Sequence, residues 1–398
     1  MKYSLIATAI LSLTTVAVSA NEVHKSGQTG AYTASGVSEV ESPYSERQTK
    51  AVSYSFAVDS KTNLDFSTKQ SHIQSRQYSL DVTGQQLKSG VSLNTSAKGA
   101  LVRIAAFDGK SSIEPESLSL TNQKGDVFKQ SKAFDTVVDS TAMSKNAAGF
   151  QQGTTGFKIA DNLGAGSFVL KANKSVNLNT NYRINVFEKQ SDMELHLTSD
   201  KNSYLKNDTL KVDAKVFNLG RVQDISSIKG NLVSPTGRTF KVDFRQSKDG
   251  YELIKPMDMS AHSVPGALWE LHTEAQINLK GKTVQRNGQL PFAFAEKTAS
   301  LGAAPIITGQ KQSPTAQVPV SASKDGRYEV RAMLYGTDSV GNLQPIMVTH
   351  SAANLAAGEG MISMKFDKDI IAQSGLNAPF KLEQLELRDQ DQMVLIDN

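Results

Sequence analysis

Short runs in which every second residue is apolar recur along most of this chain, and nothing else in the sequence limits its fold so strongly. Met193, Leu195 and Leu197 alternate with polar neighbours, as do Leu210, Val212, Ala214 and Val216, and then Phe240, Val242 and Phe244. Successive side chains of a β-strand point to opposite faces, so each run buries one face and wets the other. Beyond residue 20 no segment sustains a helical period, so helices are expected to be short and few. The expected class is all-β.

The runs group into modules. Val52, Tyr54, Phe56 and Val58 alternate with small or polar residues, which predicts a strand with that face in a core. Tyr78, Leu80 and Val82 repeat the signal, and further short strands are expected at 101–107, 118–120, 157–159, 168–170 and 182–187, with Gly99, Gly109, Gly125 and Gly166 at turns. These make an N-terminal β-rich domain over residues 51–189. A second module spans 190–297, where Pro235-Thr236-Gly237 and Lys248-Asp249-Gly250-Tyr251 mark turns and Trp269, Leu271, Thr273 and Ala275 form a strand before Leu290, Phe292 and Phe294. Seven or so short strands in about a hundred residues is the pattern of an immunoglobulin-like sandwich. Residues 298–317 hold Gly302, Pro305, Gly309 and Pro314 with almost no charge, which predicts a linker. A third strand-rich, immunoglobulin-like module then runs over 318–398. The expected architecture is thus tandem β-sandwich domains.

Residues 1–20 run from Met1-Lys2 through a mostly apolar stretch to Val18-Ser19-Ala20, and are expected to be a signal peptide cleaved after Ala20. Thr8, Ser12, Thr14 and Thr15 interrupt the apolar run, which falls short of the roughly 20 residues that span a bilayer. No transmembrane segment is expected in the mature chain, and no cysteine follows the cleavage point to carry a lipid. Residues 21–50, rich in Ser, Thr, Gly and Glu without a period, read as a flexible leader. The expected destination is the periplasm or the exterior. Zero cysteines in 398 residues exclude disulfides, thiol catalysis and thiolate metal sites. Removing Lys2 from the formal charge of +4 leaves +3 with both signs interspersed, which gives no electrostatic case for nucleic acid.

The residues that carry common chemistries are not patterned for them. Histidines 24, 72, 196, 262, 272 and 350 never occur three or four apart, and His196 and His272 fall on the polar side of strand alternations. Gly-x-Ser-x-Gly, the phosphate-binding loop and the strand-to-helix Gly-x-Gly-x-x-Gly are absent; Gly164-Ala165-Gly166 precedes a strand and reads as a turn. Neither a catalytic nor a cofactor-binding residue is assigned. Calcium is the one cofactor with candidate ligands, in the acidic turns of the third module: Asp338, Asp367, Asp369, Asp389 and Asp391. That module carries 7 Lys and Arg against 11 Asp and Glu. Asp338-Ser339-Val340-Gly341-Asn342 fits a hairpin turn better than the calcium loop. Trp269 shares strand parity with Leu271, Thr273 and Ala275, which favours core packing over a sugar platform. Asp325-Gly326-Arg327-Tyr328 resembles a corner in which a tyrosine hydroxyl ties back to the backbone.

Asp325 to Val330, the stretch from Phe366-Asp367 to Ser374-Gly375-Leu376-Asn377-Ala378-Pro379-Phe380, and Leu385 to Asp389 are similar to the C-terminal sandwich of a family of uncharacterised secreted proteins of Gram-negative bacteria. Ser75-Arg76-Gln77-Tyr78 through Gly99 to Ile104 is similar to that family's N-terminal domain. The resemblance implies a three-domain extracytoplasmic protein with no established activity. Similar C-terminal sandwiches occur as accessory modules on secreted proteases, and the catalytic domain such a module serves has no counterpart here.

The expected function is therefore an exported, non-catalytic binding or surface-interaction protein for an unknown protein or glycan. Two alternatives stand beside it. One is a hydrolase of peptide or polysaccharide drawing carboxylates from separate modules, as a glycosidase needs two roughly 5 to 10 Å apart. The other is a periplasmic assembly or secretion accessory.

Overall fold

The computed structural model describes residues 50–59, 70–138, 153–174, 176–279, 281–309 and 314–398. The expected signal peptide, the leader up to residue 49 and His24 lie outside those residues. Among the described residues no helix is long and apolar enough to cross a membrane.

The chain is all-β, and its strands form tandem two-sheet sandwiches. Its first two described strands, β1 (Val52–Ala57) and β2 (His72–Ser75), belong to the sheets of later sandwiches. The N-terminal sandwich follows with β3 (Gln77–Thr83), β4 (Val91–Asn94), β5 (Leu101–Ala106), β6 (Leu118–Asn122), β7 (Val127–Lys129), β8 (Phe134–Val138), β9 (Thr155–Ile159), β10 (Ser167–Ala172) and β11 (Asn181–Phe187). They pair as β3-β11-β5-β9-β8 and β4-β10-β6-β7. A short helix, α1 (Gly84–Ser89), joins β3 to β4; Thr83 caps it reciprocally with Gln86, and Leu87 plugs the core. Leu93, Ile104, Leu120, Phe157, Leu170 and Ile184 are buried between the two sheets.

The middle sandwich comprises β12 (Met193–Ser199), β13 (Ser203–Leu205), β14 (Thr209–Asn218), β15 (Arg221–Gln223), β16 (Ser227–Val233), β17 (Thr239–Val242), β18 (Arg245–Ser247), β19 (Gly250–Pro256), β20 (Trp269–Leu279) and β21 (Lys282–Ala295). One sheet runs β18-β19-β14-β12-β2 with β15 on β14, and the other β13-β21-β20-β16-β17. Only β13 and β21 pair in parallel among the strands of these two sheets. The hairpin between β16 and β17 turns at Gly237, whose φ of 79° suits a residue without Cβ.

The C-terminal sandwich holds β22 (Ala299–Leu301), β23 (Ile306–Thr308), β24 (Thr315–Ala322), β25 (Gly326–Thr337), β26 (Leu343–Leu355), β27 (Gly358–Lys365), β28 (Asn377–Asp389) and β29 (Val394–Asp397), with helix α2 (Lys368–Ser374) before β28. One sheet runs β1-β26-β25-β28-β29; in the other, β24 pairs with β22, β23 and β27. Val318, Val320, Val330, Leu334, Met364 and Leu387 lie between them.

Sheet pairing bears on two sequence expectations. The first concerns the N-terminal domain expected over residues 51–189: β1 pairs in the C-terminal sheet and β2 in the middle sheet, and the strands of the two N-terminal sheets run from Gln77. Alternation reports that a strand has two faces but not which sheet receives it. The second concerns the linker expected over 298–317. Residues 310–313 lie outside the described residues, but β22 and β23 pair antiparallel with β24, which itself begins at Thr315. Ala299 is buried in the C-terminal core, Leu301 and Ile307 pack against it, and the Leu301 amide donates to Asp397 Oδ2 at 2.8 Å. Strands of three residues are too short for alternation to register.

The modules are fastened to one another. Arg286 on β21 sits at the junction with the N-terminal sandwich and spends all five of its N–H groups there: Nη1 on Glu188 Oε1 (3.0 Å) and Gln285 O, Nη2 on Ser96 and Ser191 Oγ, and Nε on Met193 O. The other Glu188 oxygen accepts from the amides of Ser96 and Ala97 and from Ser96 Oγ. A buried charge pair persists only when its remaining hydrogen-bonding capacity is also met, as it is here. On the other side, Ala295 at the end of β21 belongs to the C-terminal core, and Leu205 and Ala293 pack against it.

Candidate binding surface

β1 lies antiparallel to β26 at the edge of the C-terminal sheet, with Val52 opposite Ala352, Tyr54 opposite His350 and Phe56 opposite Val348. Its inward side chains are serines. Ser53 Oγ lies 2.7 Å from Ser351 Oγ, and Ser55 Oγ 2.8 Å from Thr349 Oγ1. Ser53 Oγ also donates to Ser363 O and accepts from the Lys365 amide, each at 3.3 Å, reaching across to β27 of the facing sheet. The expectation that Tyr54 and Phe56 enter a core is therefore corrected: Tyr54 is 50 % exposed and Phe56 59 %. Thr349 and Ser351 are buried hydroxyls, and buried hydroxyls are costly without partners, so the serine face of β1 turns inward and the aromatic face outward.

The outward side chains form a cluster. The Tyr54 and His350 rings stack at 5.1 Å with an interplanar angle of 2°, and Phe56 stands edge-on to both, at 5.6 and 6.2 Å. His350 Nδ1 is 2.6 Å from Glu329 Oε1, whose other oxygen accepts from Gln390 Nε2 at 2.8 Å. The His350 hydrogen bond holds the Glu329 carboxyl below its ordinary range against the opposing effect of burial. Burial, with the nearby Glu329 charge, pushes the Tyr54 phenol up. In the neighbouring rows Glu386, almost fully buried, receives Arg331 at 2.6 Å and Arg388 at 3.2 Å. Charge on this face is thus paired within the molecule, and the aromatic rings are what it offers outward. Thr349 and Ser351 point to the opposite face, so the imidazole–carboxylate pair does not join them in a nucleophilic triad.

A second cluster occupies the middle sandwich. Pairing of β2 with β12 sets the His72 ring 5.2 Å from that of His196, which in turn lies 4.6 Å from Phe217. His196 Nε2 is 2.9 Å from Glu194 Oε2, and Arg76 Nε donates to Glu194 Oε1 at 2.8 Å. His196 first and Arg76 second hold the Glu194 carboxyl below its ordinary range. The two histidines are 124 positions apart in the sequence, and only the β2 insertion brings them together.

The calcium candidates are dispersed. Asp338 accepts from the amides of Val340 and Asn342 in the β25–β26 hairpin turn, and these bonds hold its carboxyl low. Asp367 caps α2 by accepting from the amides of Asp369 and Ile370. Asp389 is buried and accepts from Thr298 Oγ1 at 2.6 Å, and Asp391 accepts from the Arg327 amide. Among the described residues no group of three or more His, Asp or Glu side chains is placed to hold a metal ion. Trp269 is fully buried; it stacks on Phe240, meets Phe294 edge-on and donates Nε1–H to Ser263 Oγ at 3.0 Å. Tyr328, also buried, donates its hydroxyl to Lys324 O at 2.8 Å, the tie to the backbone that its sequence setting implies. His272 pairs with Glu270 on its own strand, and the His262 ring lies 5.4 Å from Phe240.

Comparison with known proteins places these modules. The model for the N-terminal domain of a domain of unknown function, DUF4785, matches residues 43–188, and the model for the C-terminal domain of DUF4785 matches residues 298–398. No curated protein matches the chain. A crystal structure of a DUF4785 family protein from Legionella pneumophila is similar, with 22 % identity and a TM-score of 0.68, covering 88 % of this chain and 91 % of that one. At that identity the likeness shows the fold. Escherichia coli alpha-2-macroglobulin activated by porcine elastase aligns at 13 % identity and a TM-score of 0.22, over 82 % of this chain and 30 % of that one. The tetra-tandem repeat of a large adhesion protein aligns at 11 % and 0.18, over 78 % and 69 %. Scores so low carry no argument. The two family models and the shared fold together make this chain a member of the DUF4785 family.

Proposed function

We propose that this chain is an exported, non-catalytic binding protein of the Gram-negative envelope that docks a protein or glycan through the outer face of its C-terminal sandwich. The observation that carries the reading is the exposure of Tyr54 and Phe56 beside charges that are already paired. Rigid aromatic rings contribute contact area at little entropic cost and recur at the energetic centres of interfaces. Export rests on residues 1–20, whose small residues at Val18 and Ala20 suit cleavage before Asn21.

The test is fractionation of the tagged chain with crosslinking of its neighbours in the cell, comparing wild type with Tyr54→Ser/Phe56→Ser. A neighbour, protein or polysaccharide, that is captured by wild type and lost from a double variant of unchanged melting temperature supports the reading. Equal capture by both sinks the surface, and exported protein that retains residues 1–20 sinks the cleavage site.

A further inference from the structure

β1 is a strand of the C-terminal sandwich that contributes nothing to its core. Neither the buried residues of that core nor the partly buried ones packed against it include any from Val52–Ala57. What holds β1 is a ladder of six consecutive residue pairs with β26, from Val52 opposite Ala352 to Ala57 opposite Met347, together with the hydroxyl bonds of Ser53 and Ser55 and the stacking of Tyr54 on His350. Removing it would take no residue out of that core, though it would uncover Val348 and Ala352, which lie opposite Phe56 and Val52.

Its removal would nonetheless uncover β26, a strand of 13 residues whose free side would then present unpaired backbone groups and the orphaned hydroxyls of Thr349 and Ser351. Such an edge is a template for a strand from another molecule. The segment whose register and side-chain pattern fit it, small hydroxyls inward and aromatics outward, is the sequence VSYSFA of β1 itself. A second copy supplies the same segment, and exchange of an identical element between copies re-forms identical contacts, so it is a low-cost route to a closed dimer.

From these relations we infer that the β26 edge takes β1 from a second copy of this chain. The aromatic surface is then assembled from two molecules, with Tyr54 and Phe56 of one beside His350 of the other. The balance between self-pairing and exchange follows protein concentration, because the contacts themselves do not distinguish them. The inference holds whether or not that surface binds a further partner.

The absence of cysteine makes the test direct. One mature chain carries Ser53→Cys and a second, enlarged by a tag, carries Ser351→Cys; the two are unfolded together, refolded at rising concentration and oxidised. Expected is a disulfide-linked species containing both sizes, several-fold above a control pair in which Ser300→Cys replaces Ser351→Cys. Light scattering of the unmodified chain should show a dimer fraction that grows with concentration. The inference is overturned if the mixed species does not exceed the control and the unmodified chain remains monomeric throughout. The double variant Ser53→Cys/Ser351→Cys, which should link within one chain at low concentration, checks that the pairing itself survives the substitutions.

Discussion

Arg286 and Glu188, from two different sandwiches, form an ion pair in which neither side chain retains any solvent-exposed surface. Arg286→Ala leaves the Glu188 carboxylate buried without its counter-charge, a change that costs about 3 to 5 kcal/mol. Urea unfolding of the full chain should show this loss. Replacing both partners, as Arg286→Met/Glu188→Met, should recover much of it. A single-variant midpoint indistinguishable from wild type would mean that water reaches the junction.

Trp269→Ala should destabilise the middle sandwich by about 3 to 5 kcal/mol, because a large buried ring leaves a cavity that its neighbours fill only in part. Trp269→Phe should cost less, since much of the ring contact with Phe240 and Phe294 survives. Because Trp269 is the sole tryptophan, the Ala variant must be followed by circular dichroism rather than fluorescence. A loss below about 1 kcal/mol would contradict the burial.

Glu329 supplies a pH signature. Its carboxyl is lowered from the ordinary 4.5, chiefly by the hydrogen bond with His350, so the folded state binds that proton less readily than the unfolded state does. The contribution is present above the ordinary value and is lost as pH falls through the lowered folded value. Glu329→Gln should therefore reduce stability at pH 6 and converge on wild type in strong acid. Denaturant midpoints measured across that window check it; a constant difference at all pH values would remove the charge from the account.

Asp367 separates the capping role from a metal role. Asp367→Ala should cost about 0.5 to 2 kcal/mol through loss of the α2 cap. Asp367→Asn or Asp367→Ser should restore most of that, since either side chain can still accept from the helix amides. Calcium should leave the melting temperature of the wild-type chain unchanged. A rise of several degrees with calcium, abolished in Asp367→Asn, would return this residue to the ligand set.

The alternation of Leu195, Leu197, Val212 and Val216 was legible because each position is decided by its own burial, and the structure places all four in the middle core. The Tyr328 corner was legible because its geometry is local, spanning four residues from Lys324. What escaped was whatever depends on distant pairing. Arg286 and Glu188 are 98 residues apart; each continues the buried parity of its strand, after Val284 in one and after Ile184 and Val186 in the other, but a charged residue at such a position does not name its distant partner. The β1 pattern of Val52, Tyr54, Phe56 and Val58 showed that a strand has an apolar face, yet the inner row of β26 is made of hydroxyls, and they claimed the serines instead. An edge strand is read by its neighbour, and that neighbour lies 298 of the chain's 398 residues away.

That separation has a consequence in time. Ser53 and Ser351, which touch through their hydroxyls, are 298 residues apart, so the ribosome makes the strand that completes the last sandwich long before it makes the sheet that receives it. At ordinary rates of synthesis the wait is on the order of tens of seconds. Throughout it VSYSFA has no β26 on its own chain to pair with, and closing so long a loop is slow even once that strand exists. This early segment should thus be among the last to find its place, and a nascent chain held up before β26 is the form in which it is open to capture by something else.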